Sequence, residues 1–277
     1  MRSWPGGNAR RDKRLGKGLF CVAVLLCPLL VAQVDSEEEE TDGTVLARLY
    51  ALRVKPQLDV PEDEQLFYGE LLADNLSTLT GNRAEYAMII DRNKFVQAAM
   101  IYWMSPDGEF HFIGASPVST GKPGKFEHFV TPIGVFEHTT ANPDFRAEGT
   151  FNQFGIRGYG RQGMRVYDFG WQLAWRGWNG GGKGTLRLQM HATDPDRLEQ
   201  RLGTRQSEGC IRIPATLNIF IDHYGILDGD YERAMARGRN FWVLSPDREP
   251  TPWSGRFLVV VDSGRKAKPA WSLPTPR

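Results

Sequence analysis

Apolar positions along the chain follow two periods. Between residues 44 and 80, Leu66, Phe67, Leu71, Leu72, Leu76 and Leu79 recur close to every 3.6 residues. Val45, Leu46, Leu49 and Leu52 form a shorter stripe before a Pro56/Pro61 break. This spacing predicts helices. From about residue 84 the pattern changes to short apolar runs separated by turn residues. Y-A-M-I-I-D (86–91), the run at 98–103 and E-F-H-F-I-G (109–114) predict strands, with Pro106-Asp107-Gly108 as the turn between the last two. Further strands are expected at 130–137, 185–190 and 256–261. A helix is expected from Pro214 through Leu217, Phe220 and Ile221 to Tyr224, since the N–H that proline lacks would be unpaired at a first helical position anyway.

The predicted architecture is mainly β with a few helices, preceded by an N-terminal helical extension. Two stretches stand apart. Residues 149–184 are rich in Gly and aromatics (Phe151, Phe154, Tyr159, Tyr167, Phe169, Trp171, Trp175, Trp178). They suit either a long surface loop with core anchors or the wall of a groove for sugars or peptides. Residues 245–253 are a Pro-rich loop.

Composition adds little until its distribution is considered. Over 277 residues, 34 Lys+Arg balance 33 Asp+Glu, which argues against a dedicated nucleic-acid binder. Residues 1–17 nevertheless hold six basic groups and one acid, followed by the uncharged apolar run 19–32. That run is too short to span a bilayer comfortably, which takes ~20 residues. A basic leader before a short apolar core predicts a secretory signal; an uncleaved N-terminal anchor is the alternative. Both predict export, with membrane contact only through an uncleaved segment. The acidic run from Asp35 to Asp42 fits a solvated spacer. The domain boundaries expected are 1–32 for the signal or anchor, 33–43 for the spacer and 44–83 for the helical extension. The main domain at 84–263 would carry the Gly/aromatic insertion at 149–184, and 264–277 would be a tail.

Export changes the meaning of the cysteines. Cys21 and Cys27 fall in or beside the signal, so Cys210 stands alone in the folded part. A lone thiol in an oxidising compartment is either buried and inert or functional. A cysteine nucleophile needs a base within hydrogen-bond reach. His191, at the end of T-L-R-L-Q-M, falls where a strand hands over to a loop and is the best candidate. Cys210 precedes the Pro214 helix, whose N-terminal N–H groups would lower the thiol pKa. Gly209 permits close backbone approach, so the Gly209 and Cys210 N–H groups could form an oxyanion hole. His111, His128, His138 and His223 fit surface or core roles. Ser-His-Asp hydrolysis lacks a Gly-x-Ser-x-Gly elbow. Neither a metal nor a cofactor is expected, as there is a single Cys and no close-spaced His pair.

The residues from His191 to Arg212, H-A-T-D-P-D-R-L-E-Q-R-L-G-T-R-Q-S-E-G-C-I-R, resemble the signature of the L,D-transpeptidase catalytic-domain family. That signature is a His followed about fifteen residues later by Ser/Thr-His-Gly-Cys, an apolar residue and Arg or Asn. P-V-S-T-G-K-P-G (117–124) and T-P-I-G-V-F (131–136) resemble its upstream segments, so the likeness covers about residues 84–262. It implies a β-sandwich-like domain whose site is floored by a sheet. Cys210 would form a thioester with a peptidoglycan stem, His191 would move the protons, and an amine of a neighbouring stem would resolve the thioester into a cross-link. It further implies that the Ala192 carbonyl orients the base, that Ser207 braces the loop and that Arg212 binds a carboxylate or braces the loop. Glu208 stands where the family has His. Close to the sulfur it would raise the thiol pKa; it either pairs with an Arg or holds an acceptor amine, with an altered cross-link position. The partners implied are peptidoglycan stem peptides and glycan strands. Two competing readings are a carboxypeptidase or amidase on the same site and a non-catalytic wall-binding module.

Overall fold

A computed structural model of the chain describes residues 42–79 and 83–273. The expected export segment at 1–32 lies outside the described residues, as do most of the acidic spacer and the end of the tail.

Two helices open the described part, α1 (Asp42–Arg53) and α2 (Glu62–Leu76). One sheet is built from β1 (Glu85–Asp91), β2 (Ala98–Met104), β3 (Phe110–Pro117), β5 (Gly134–Glu137) and β10 (Phe257–Val261), in the order β3-β2-β1-β10-β5. The other contains β4 (Phe129–Val130), β7 (Arg165–Arg176), β8 (Lys183–Ala192) and β9 (Ile211–Ile213), in the order β4-β7-β8-β9, with β6 (Phe145–Arg146) also pairing to β7. Helices α3 (Ala215–Tyr224) and α4 (Gly229–Ala236) follow β9.

Every residue of β1, β2 and β10 is buried, so the first sheet is covered on both faces. Tyr86, Met88, Ile90, Ile101, Leu258 and Val260 share one core cluster with Leu188, Met190, Ile211 and Ile213 of the second sheet and Leu217 and Phe220 of α3. The alternate residues Ala87, Ile89, Met100, Tyr102 and Val259 cluster with Tyr68, Leu72 and Leu76 of α2. Truncating a fully buried leucine such as Leu72 to Ala would cost roughly 2–5 kcal/mol. The layers therefore run α2, first sheet, second sheet. The second sheet gives only one face to this core, and its other face floors the site described below.

The helical extension and the mainly β body agree with the sequence pattern, but the buried stripe differs from the expected one. Tyr68, Leu72 and Leu76 face inward on α2, whereas Leu66, Phe67 and Leu79 are exposed. On α1, Leu46, Tyr50 and Val54 mark the buried side, while Val45 and Leu52 are exposed. The single strand expected at 130–137 is two, because Pro132 and Ile133 carry the chain from β4 in one sheet to β5 in the other. Residues 165–176, within the stretch read as loop or groove wall, form the long strand β7. There a left-handed Gly170 (φ 74°) coincides with a register shift against β8 between Asp168 and Trp171. Pro214 caps α3 rather than starting it, and the Glu199 carboxylate accepts the Ala215 N–H at 2.7 Å at that positive helix end. Among the described residues no helix is long and apolar enough to cross a membrane.

Candidate active site

The period of two along β8 sorts its residues. Leu188 and Met190 enter the core, and Thr185, Arg187, Gln189 and His191 project to the opposite face. Strand β9 pairs parallel to β8 with Arg212 directly beside His191, and Ile211 and Ile213 enter the core beside Met190 and Ala192. Cys210 immediately precedes β9, and its Sγ lies 3.9 Å from the Arg187 carbonyl oxygen of β8. Cys210, His191, Arg212, Ser207 and Glu208 line one cleft of about 460 Å³. Gly209 and Ala192 support it from behind.

The loop carrying Cys210 is held by the two upstream segments that share the family resemblance. Ser119 exchanges backbone hydrogen bonds with Arg212, each at 2.9 Å, and the Thr120 carbonyl accepts the Gln206 and Ser207 N–H groups at 3.0 Å. The Thr131 hydroxyl donates to the Gly209 carbonyl at 2.7 Å and accepts the Gly121 N–H at 2.9 Å. The Phe129 N–H donates to the Glu208 carbonyl at 3.0 Å. Ser207 Oγ donates to the Cys210 carbonyl at 2.5 Å and accepts the Gly209 N–H at 3.1 Å. The Gly209 N–H is therefore occupied within the loop, unlike the free oxyanion donor the sequence suggested. Glycine is required at 209 because φ is 133° and a Cβ would stand 2.7 Å from Leu186 Cδ2.

His191 is buried, and its Nδ1 lies 2.8 Å from the Ala192 carbonyl. A neutral imidazole thus carries its proton at Nδ1 and leaves Nε2 as the acceptor. Burial lowers the His191 pKa to about 4; the Ala192 carbonyl opposes the shift and the Arg212 charge adds to it. The Cys210 thiol is pushed up, first by burial, with the Gln189 backbone and Arg212 opposing and Glu208 adding. This corrects the expected lowering by the α3 terminus: β9 separates the sulfur from that helix, and desolvation dominates. The pair is consequently thiol and neutral imidazole at neutral pH. Arg212 Nε is buried without a partner, and Nη1 only approaches the Gln206 carbonyl, at 3.5 Å. A guanidinium so poorly paired beside a cleft is suited to a carboxylate. Glu208 is exposed and makes no ion pair with an Arg among the described residues; it acts on Cys210 and Arg212 through its field.

Several residues at the site were not anticipated. The Tyr159 ring packs edge-on against His191 at 4.7 Å, and its hydroxyl lies 3.2 Å from Gln189 Oε1. Gln189 Nε2 donates in turn to Asp168 at 3.0 Å, and Arg187 Nε donates to the same carboxylate at 2.7 Å. The period of β8 could have found Gln189, but nothing in the sequence aims Tyr159 at His191. The segment bearing Tyr159 is fastened over the cleft from the far end of β8. Arg157 N–H donates to Asp194, and the Arg157 and Arg161 guanidiniums reach Asp196 at 2.7 and 2.6 Å. His138 lies in the core, bonded to Asp144 at 2.9 Å.

Residues 88–222 match the family model YkuD, the L,D-transpeptidase catalytic domain. Over this span, a little under half of the chain, the sequence is similar to that catalytic domain. The match takes in the upstream segments, the cleft floor, His191 and the Cys210 loop, and the family acts on peptidoglycan. No curated protein matches the sequence. Among solved structures, the chain is similar to the helical cell shape determining protein Pgp2 from Campylobacter jejuni at 14 % identity and a TM-score of 0.30. That alignment covers 71 % of this chain and 56 % of the other, so the chain spans little more than half of that protein's length.

Proposed function

We propose that this protein is a periplasmic cysteine acyltransferase of the L,D-transpeptidase family that cross-links peptidoglycan stems. The observation that carries the reading is the convergence in one cleft of a partly exposed thiol, a neutral imidazole with its free nitrogen available, and a guanidinium whose Nε has no partner. Arg212 binds a stem carboxylate and aligns the scissile amide over Cys210. As Sγ attacks the carbonyl carbon, its proton passes to His191 Nε2. Neither group is ionised beforehand, so proton transfer accompanies formation of the C–S bond. The Cys210 N–H, which makes no hydrogen bond among the described residues, is the donor for the oxyanion. Collapse breaks the C–N bond, and His191 gives its proton to the leaving amine. The amine of a second stem then attacks the thioester: His191 takes its proton, a C–N bond forms, the C–S bond breaks, and His191 passes that proton to sulfur. Glu208, exposed at the rim, is suited to hold the incoming amine as its ammonium before it is deprotonated, which would bear on the cross-link position.

Defined soluble muropeptides, with products resolved by tandem mass spectrometry, test this. Cross-linked dimers that disappear in Cys210→Ala support transfer. Shortened monomers alone would replace it with hydrolysis at the same thioester. Retention on sacculi without any product would leave a wall-binding module.

A further inference from the structure

The face of the second sheet that bears His191 does not end at the cleft. Beyond the Gly170 shift, β7 presents Trp171, Leu173 and Trp175 on this same face, paired across to Arg187, Thr185 and Lys183. All three apolar side chains are exposed, at 66, 66 and 55 %. The stripe begins next to the sulfur, because Trp171 pairs with the residue whose carbonyl lies 3.9 Å from Cys210 Sγ. From Trp171 to Trp175 it runs about 14 Å at the rise of a strand. The Arg187 guanidinium sits 5.8 Å from the Trp171 ring centre and the Lys183 ammonium 5.5 Å from that of Trp175. Cations so placed hold the indoles in position. Asp168, at the inner end, is taken by Arg187 and Gln189.

We infer that this Trp171–Leu173–Trp175 stripe is a platform for the glycan strand, a β-linked N-acetylhexosamine polymer, from which the reacting stem hangs. Sugar rings offer flat C–H faces that pack on indoles, with hydroxyls free at the rim, and stem carboxylates along the strand would meet Lys183. The inference rests on the proposed function for one reason. A stem in the cleft is tethered to its strand, and a few extended residues reach roughly 10–15 Å at ~3.6 Å each, so a strand lying on the stripe is within reach of the cleft. A second copy of the chain is a poorer occupant, because a two-fold contact through the stripe would set Lys183 and Arg187 against their own counterparts.

The test is co-sedimentation of the full chain with peptide-free glycan strands, prepared by stripping the stems from sacculi. Wild type and Cys210→Ala should bind alike. The double substitution Trp171→Ala/Trp175→Ala should bind at least about tenfold more weakly at an unchanged melting temperature, since exposed Trp anchors carry much of an interface's energy. Tyr at both positions should recover most of the binding. The inference is overturned if the strands are not retained, if the double variant binds them as well as wild type, if anionic phospholipid vesicles capture the protein in their place, or if the double substitution dissolves a dimer. Cross-linking of soluble stem peptides without glycan binding would remove the platform alone. Glycan binding that needs both indoles, without acyl transfer, would remove the transpeptidase reading alone.

Discussion

Acid pH is a direct probe of the His191 environment. The imidazole is 4 % exposed and its pKa falls from 6.5 to about 4 on folding. The unfolded chain therefore takes up a proton below pH 6.5 that the folded one resists, so this contribution to stability is complete above 6.5 and is lost as pH falls towards 4. At 1.36 kcal/mol per pKa unit, the whole effect is roughly 3 kcal/mol, of which about 2 kcal/mol is gone by pH 5. Other groups titrate too. His138 has the opposite sign: burial alone would lower its pKa, but the Asp144 carboxylate raises it, so its contribution is present below the unfolded value and lost as pH rises through the folded one. Comparing wild type with His191→Gln cancels such terms. Urea denaturation of both at pH 7.5 and pH 5 should show wild type losing about 2 kcal/mol more than the variant between the two. An equal loss, or an NMR titration placing His191 near 6.5, would refute the lowering of the imidazole pKa by burial.

Other variants probe the rest of the account. Arg165 is fully buried and donates to Asp144 at 2.7 Å and to Asp228 at 2.7 and 2.8 Å. Arg165→Met should cost roughly 3–5 kcal/mol in urea denaturation by stranding those carboxylates, and a cost below about 1 kcal/mol would contradict this. Gly209→Ala should lose roughly 1–3 kcal/mol from its left-handed backbone and its collision with Leu186, along with transfer activity; wild-type stability and turnover would contradict the loop geometry. Arg212→Gln should raise KM about tenfold or more for stems with a free carboxylate and little for amidated ones, as expected for a lost charge-assisted hydrogen bond. An equal effect on both would assign Arg212 to loop bracing.

The sequence disclosed what local chemistry dictates. Turn residues at 106–108 and alternation at 185–190 marked strands that exist, and the residues from His191 to Arg212 carried the family likeness. It concealed what depends on a single backbone distortion or on distant packing. Gly170 breaks the alternation of β7, so a strand with eight buried or half-buried members out of twelve resembled a loop. The helical stripe misled because Tyr50 and Tyr68, not Leu52 and Leu66, fill the layer against the first sheet. The thiol pKa went the wrong way because sequence distance to a helix terminus says nothing about desolvation. Tyr159 reaches His191 only through anchors at Asp194 and Asp196 that tie its segment across the cleft.

The central claim is that the Cys210 sulfur carries the acyl group between two stems. Intact-mass measurement of the protein during turnover of defined muropeptides tests it most directly. A stem-peptide adduct should map to Cys210 and decay as dimers accumulate, with neither adduct nor dimer in Cys210→Ala or His191→Gln. Dimers formed by Cys210→Ala at the wild-type rate would contradict it.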